Sequence, residues 1–295
     1  RDITDLANIS PNIVIDDTAQ GPGGVAAIFI RGIGVADVEK NFDPAVGVVV
    51  DGMFIGSNAG SLLRSIDIAS MEVLRGPQGT LFGRNTIGGI INITRTKPTG
   101  EVGGKFRAGY EEYDTYYADG IFNFGVGEDL AIKLTGAVRD QQEGYYQNDE
   151  IGRDVGRNDY QSYGLNALWT PTDDLEIEYT GQFEETDQDT PPLLNTAQPR
   201  HLFCSAYGYC SPSENSTITG DRRKTANVGY IPPDPNGAAF AASTPDQARE
   251  AEMAATFDAD THILEVGWQA TDALRLDYVY GSYESDETII SNWDG

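Results

Sequence analysis

Leu175-Glu176-Ile177-Glu178-Tyr179-Thr180-Gly181-Gln182-Phe183-Glu184 decides how this chain is read. Successive side chains of an extended strand point to opposite faces. Leu175, Ile177, Tyr179 and Phe183 therefore share one face, and Glu176, Glu178, Gln182 and Glu184 share the other. The same period of two recurs upstream, where Leu130, Ile132, Leu134 and Val138 oppose Lys133, Thr135 and Arg139. It recurs downstream as Leu274, Leu276, Tyr278 and Tyr280 against Arg275 and Asp277. Segments of about ten residues with this alternation suit a transmembrane β-barrel. A soluble sandwich alternates too, so the connections have to discriminate.

Seven strands are predicted, near residues 102–112, 115–125, 129–141, 160–170, 174–187, 261–270 and 273–286. Tight turns follow the second, fourth and sixth: Gly127-Glu128-Asp129, Thr172-Asp173-Asp174 and Thr271-Asp272-Ala273. Long connections, roughly 142–159 and 188–260, follow the third and fifth. Short turns on one side and long loops on the other are the outer-membrane pattern. Tyr113, Tyr116, Tyr117, Tyr145, Tyr146, Trp169, Trp268 and Tyr283 lie near strand ends, where interfacial girdles form. Seven strands cannot close, and an open edge facing lipid leaves unpaired N–H and C=O groups. The fold class expected is thus an antiparallel membrane β-barrel, of which about seven strands lie in this chain.

Residues 1–97 have a different character. They hold 8 Lys and Arg against 10 Asp and Glu, a net of −2, whereas residues 98–295 hold 12 against 36, a net of −24. The domains are therefore placed at 1–97 and 98–295. Short apolar runs (Val25-Ala26-Ala27-Ile28-Phe29-Ile30, Val46-Gly47-Val48-Val49-Val50, Ser70-Met71-Glu72-Val73-Leu74 and Gly89-Ile90-Ile91-Asn92-Ile93-Thr94) read as buried strands. With short helices at 59–66 and 5–8, they make a compact α/β module.

Several motifs in this module occur in a recognisable order: Asp5-Leu6-Ala7-Asn8-Ile9-Ser10-Pro11-Asn12, Ile30-Arg31-Gly32-Ile33-Gly34 and Val50-Asp51-Gly52. They end in Met71-Glu72-Val73-Leu74-Arg75-Gly76-Pro77-Gln78-Gly79-Thr80-Leu81-Phe82-Gly83-Arg84-Asn85-Thr86-Ile87-Gly88-Gly89-Ile90-Ile91-Asn92-Ile93. Together they resemble the plug domain of TonB-dependent outer-membrane receptors. The resemblance implies a barrel of about 22 strands when complete and, at the present spacing, an intact chain of roughly 700 residues, so this sequence reads as a fragment. A phosphate-cradling loop does not account for the glycines. Three residues separate Gly79 from Gly83, Arg84-Asn85 follows, and no lysine stands where a Walker loop needs one.

Composition narrows the function. The net charge of −26 offers no basic stripe for nucleic acid, and no apolar run approaches a membrane-spanning helix. No Ser–His–Asp or metal-spaced constellation accompanies the two histidines, His201 and His262, so no enzyme, catalytic residue, metal centre or cofactor is assigned. The runs Glu184-Glu185-Thr186-Asp187-Gln188-Asp189 and Asp258-Ala259-Asp260 are weak candidates for Ca²⁺ and read first as solvated loop.

The resemblance implies a gated transporter: the plug fills the barrel, a scarce nutrient binds from outside, and TonB acts from the periplasm. The family's TonB-contacting segment lies before the plug and is expected upstream of Arg1. A ferric siderophore or similar iron chelate is the expected cargo; cobalamin, saccharide and haem are alternatives, and a structural or adhesive barrel protein is the competing class. Outer-membrane lipid and lipopolysaccharide are expected neighbours. The resemblance also implies that Arg31 and Arg75 lock the plug to wall glutamates. Plug loops at 34–44 and 53–60 are expected to face the cargo through Phe42, Met53, Phe54 and Asn58. Cys204 and Cys210 lie in one long outward loop and are expected to form a disulfide, since that compartment is oxidising.

Overall fold

The computed structural model describes residues 10–16, 27–35, 43–56, 67–148, 153–189, 218–219, 222–225 and 254–289. The N-terminal strands are β1 (Ile13–Asp16), β2 (Ala27–Ile30), β3 (Val46–Val50), β4 (Met53–Ile55), β5 (Ile68–Arg75) and β6 (Gly89–Arg95), with a single turn of helix, α1 (Gly79–Phe82), between β5 and β6. β1 and β2 form an antiparallel pair, while the other four make a sheet in the order β4-β3-β6-β5. β3 and β6 run parallel and every residue of β3 is buried, so the apolar run at Val46–Val50 is the centre of the core. Gly89 opens β6 at φ +146°, and a Cβ there would collide with the Leu74 carbonyl. Only glycine allows the β5–β6 approach at this point.

The second sheet contains β7 (Gly103–Glu111), β8 (Thr115–Val126), β9 (Leu130–Gln141), β12 (Asn158–Thr172), β13 (Leu175–Asp189), β16 (Ala254–Thr271) and β17 (Leu274–Ile289). Neighbours in the sheet follow chain order and every pairing is antiparallel, an up-and-down wall. A smaller sheet is built from β10 (Tyr146–Asn148), β11 (Arg153–Val155), β14 (Ile218–Thr219) and β15 (Arg222–Thr225), all within the long connections.

The two faces of the wall differ as the alternation requires. Phe106, Tyr116, Phe122, Leu134, Leu165, Trp169, Trp268, Leu276, Tyr278 and Tyr280 are exposed on the outward face. In β9 that apolar set runs from Leu130 to Val138, eight steps or roughly 27 Å along a tilted strand, against a lipid-facing band about 25 Å tall. Lys133, Ser162, Asn166, Glu178 and Thr180 lie on the opposite face and are buried against the N-terminal module.

Two expectations need correction. Met53 does not begin a loop but starts β4, because the chain reverses at once through the Asp51–Gly52 turn. The acidic runs are not loops either: β13 and β16 extend past the apolar band. Alternation then sends Glu185, Asp187, Asp189, Asp258 and Asp260 to the outward side, above the lipid-facing residues, and turns Glu184 inward. Asp189 accepts the backbone N–H groups of Gly156 at 2.9 Å and Arg157 at 3.0 Å. Among the described residues no group of three or more His, Cys, Asp or Glu is placed to hold an ion.

Candidate functional site

The contact between module and wall is the most elaborate polar construction in the described chain. Asp67, just before β5, is buried and forms an ion pair with Lys133 of β9; the two side chains are 4% and 3% exposed. The Lys133 ammonium also donates to the Thr96 carbonyl and hydroxyl, and the Thr96 hydroxyl donates to Asp67. The Thr96 N–H closes the cluster on the Asp67 carbonyl at 3.0 Å. A lysine so buried is tolerated because each donor direction has an acceptor.

Arg95, the last residue of β6, ties three elements together. Its Nε meets Asp51 Oδ2 at 2.5 Å, its backbone N–H donates to Asp51 Oδ1 at 2.8 Å, and its Nη1 reaches Gln182 Oε1 of β13 at 2.5 Å. Lys97, in the segment leading to β7, pairs with Glu176 at 2.5 Å and Glu178 at 3.2 Å. Partial burial alone would lower the Lys97 pKa; the hydrogen bonds and charges of the two glutamates outweigh it and raise it. The wall side is completed by Asn166, whose amide donates to Glu178 at 2.8 Å and Thr180 at 2.7 Å.

The residues singled out in the sequence are placed as follows. Arg31 and Arg75 are exposed, and neither touches the wall among the described residues; Arg75 Nη2 instead donates to Ser10 Oγ at 2.8 Å. Met53 is buried in the module's core and packs against Gly281 of β17, which makes it a packing residue and not a free cargo contact. Phe54 is half-buried, its ring lying over Gly47. Phe42, Asn58, Cys204 and Cys210 lie outside the described residues.

Two features went unread in the sequence. One is the Asp67–Lys133 pair itself. The other is the segment 76–88 carrying α1, where Leu81 and Ile87 are 78% and 65% exposed. β6 runs from this segment toward Lys97 and the start of β7, so α1 stands at the opposite end of β6 from the segment that enters the wall.

Residues 1–90 match the family model described as TonB-dependent Receptor Plug Domain. A pesticin receptor of Yersinia enterocolitica is 32% identical over 150 residues, covering 50% of this chain and 21% of that protein. A vitamin B12 transporter of Vibrio vulnificus is 26% identical over 230 residues, covering 75% of this chain and 33% of its own. The crystal structure of the ferric yersiniabactin uptake receptor of Yersinia pestis superposes with a TM-score of 0.68 at 20% identity, over 96% of this chain and 38% of that one. At that identity the likeness is one of fold. The chain thus spans about a fifth to two fifths of these proteins' lengths. A plug-type module bound inside an up-and-down wall that is apolar outside and polar within, together with these matches, makes the chain part of a TonB-dependent receptor of the outer membrane.

Proposed function

We propose that the receptor carries a scarce nutrient across the outer membrane with energy delivered through TonB, and that the cargo is a ferric siderophore or a similar iron chelate. The observation that carries this reading is the plug's attachment to the inner face of the wall by the buried Asp67–Lys133 ion pair and the Arg95–Gln182 hydrogen bond. A lumen so occupied suits gated transport and not a passive pore, and an adhesive or structural barrel has no use for it. No catalytic step is needed. Similarity to a ferrioxamine receptor and to a ferric yersiniabactin uptake receptor supports an iron chelate, and the match to a vitamin B12 transporter keeps cobalamin as the second reading.

Phe42, Phe54 and Asn58 remain the proposed cargo contacts of the plug, and Leu81 and Ile87 join them because apolar side chains so exposed on one short segment suit a ligand surface. Arg31 and Arg75 are proposed to meet glutamates on wall strands other than β7–β17. Uptake by cells carrying the full-length receptor, with radiolabelled ferric yersiniabactin, ferrioxamine, a ferric catecholate and cobalamin, tests the reading. Accumulation of one of the chelates that disappears without TonB is expected; accumulation of none, or uptake indifferent to TonB, would overturn it.

A further inference from the structure

The plug meets the wall along two seams of opposite character. Over β9, β12 and β13 the seam is polar. Asp67 and Arg95 of the plug face Lys133, Ser162, Asn166 and Gln182, and a cleft between them remains open to water. Two buried polar atoms there, Arg95 Nη2 and Asn166 Oδ1, have no protein partner, one a donor and one an acceptor. Buried groups of this kind are normally satisfied by water when protein supplies nothing.

Over β16 and β17 the seam closes on an apolar patch, bordered by the buried Thr261 and the half-buried Glu265 of β16. Ile263 of β16 is 1% exposed and belongs to the plug's own hydrophobic core, with Tyr283 of β17 packed against the same cluster. Met53 occupies the space a side chain on Gly281 would fill, and Gly52 lies beside Val279.

Resting on the transport reading above, we propose that cargo passes along the polar seam, between the plug and strands β9, β12 and β13, while the apolar seam over β16 and β17 keeps the plug on the wall. A hydrated chelate moving through the barrel needs hydrogen-bonding walls. Among the described strands those walls are concentrated over β9, β12 and β13. Opening the polar seam exchanges protein partners for water at little net cost, whereas opening the other exposes apolar surface at about 25 cal/mol per Å².

The test uses full-length receptor in living cells, in a Cys204→Ser/Cys210→Ser background, labelled with a water-soluble maleimide while the chelate panel is supplied. Single cysteines are placed in the polar seam (Ser162→Cys, Thr180→Cys) and in the apolar seam (Ile263→Cys, Met53→Cys). TonB is expected to accelerate labelling of the first two at least tenfold and to leave the last two within twofold. Equal acceleration at both seams, acceleration at the apolar seam alone, or none at either in cells that take up a chelate would overturn the path while leaving transport intact. Absence of uptake would overturn transport and the path together.

Discussion

Replacing Lys133 by methionine keeps the length of the side chain and removes its charge, leaving the Asp67 carboxylate buried without its ion pair. Both side chains are almost inaccessible, at 3% and 4% exposure, so water cannot take the place of the lost ammonium. Breaking a buried pair from one side costs about 3–5 kcal/mol. The Thr96 hydroxyl would still donate to Asp67, which places the expected loss near the lower end, about 3 kcal/mol. At about 1.4 kcal/mol per tenfold, opening of the β5–β6 edge becomes about a hundredfold more frequent. Asp67→Asn alone should cost a similar amount, because it strands the lysine. The double variant removes both charges and should be milder than either single change, with a coupling of at least about 2 kcal/mol. Native-state hydrogen exchange on the intact receptor, read at the amides of β5 and β6, measures all three. Losses that simply add, or single variants costing under 1 kcal/mol, would show that the pair does not hold the plug.

Three further outcomes follow from the same contacts. Gly281→Leu places a side chain where Met53 already lies and should destabilise plug docking by about 1–3 kcal/mol, with Met53→Ala in the same chain restoring part of it; exchange at β3 and β4 reads the effect. Leu134→Arg, on the lipid-facing side of β9, should reduce assembly into the outer membrane by the equivalent of about 2–4 kcal/mol, whereas Asp258→Arg, above the apolar band, should be nearly neutral. Cys204 and Cys210 should resist alkylation until reductant is added, as read by intact mass, and two adducts without reductant would refute the bridge.

The wall was legible because its information is local. A period of two over ten or more residues states which side chains face lipid, and six of the seven strands lie within about three residues of where alternation and turns put them, while β16 begins seven residues earlier than expected. What escaped were the outer ends of β12, β13, β16 and β17, where acidic residues replace leucines and the alternation no longer looks apolar. In the plug, β3 and β6 were visible as buried runs, whereas β1, β4 and α1 are too short to carry a pattern. The Asp67–Lys133 pair joins residues far apart in sequence, and no local rule reaches that distance. A signal was present nonetheless. Lys133 sits mid-strand on the inward face, and its cross-strand neighbours are Asn123 and Asn166, so no adjacent strand offers it a carboxylate. In a wall this acidic, a mid-strand inward lysine without a wall partner has to be met from inside the barrel.

The chemistry of that meeting bears on how one interface can both hold and release. An apolar interface all round would bind the plug firmly and expose its whole area whenever it moved. A wholly polar one would exchange with water too easily to define a resting position. Among the described strands the apolar contact lies over β16 and β17, and the directional contacts (Asp67 to Lys133, Arg95 to Gln182, Lys97 to Glu176 and Glu178) gather at β9 and β13. Buried ion pairs contribute little net stability over an apolar equivalent but penalise misplacement severely, because a displaced partner leaves a charge uncompensated. They therefore set the plug's register on the wall more than its affinity. Once a displacement is large enough for water to enter, the same charges are solvated and the penalty falls away. The resistance at the polar seam is thus short-ranged, steep at first and weak afterward, which suits a gate worked by force from one side.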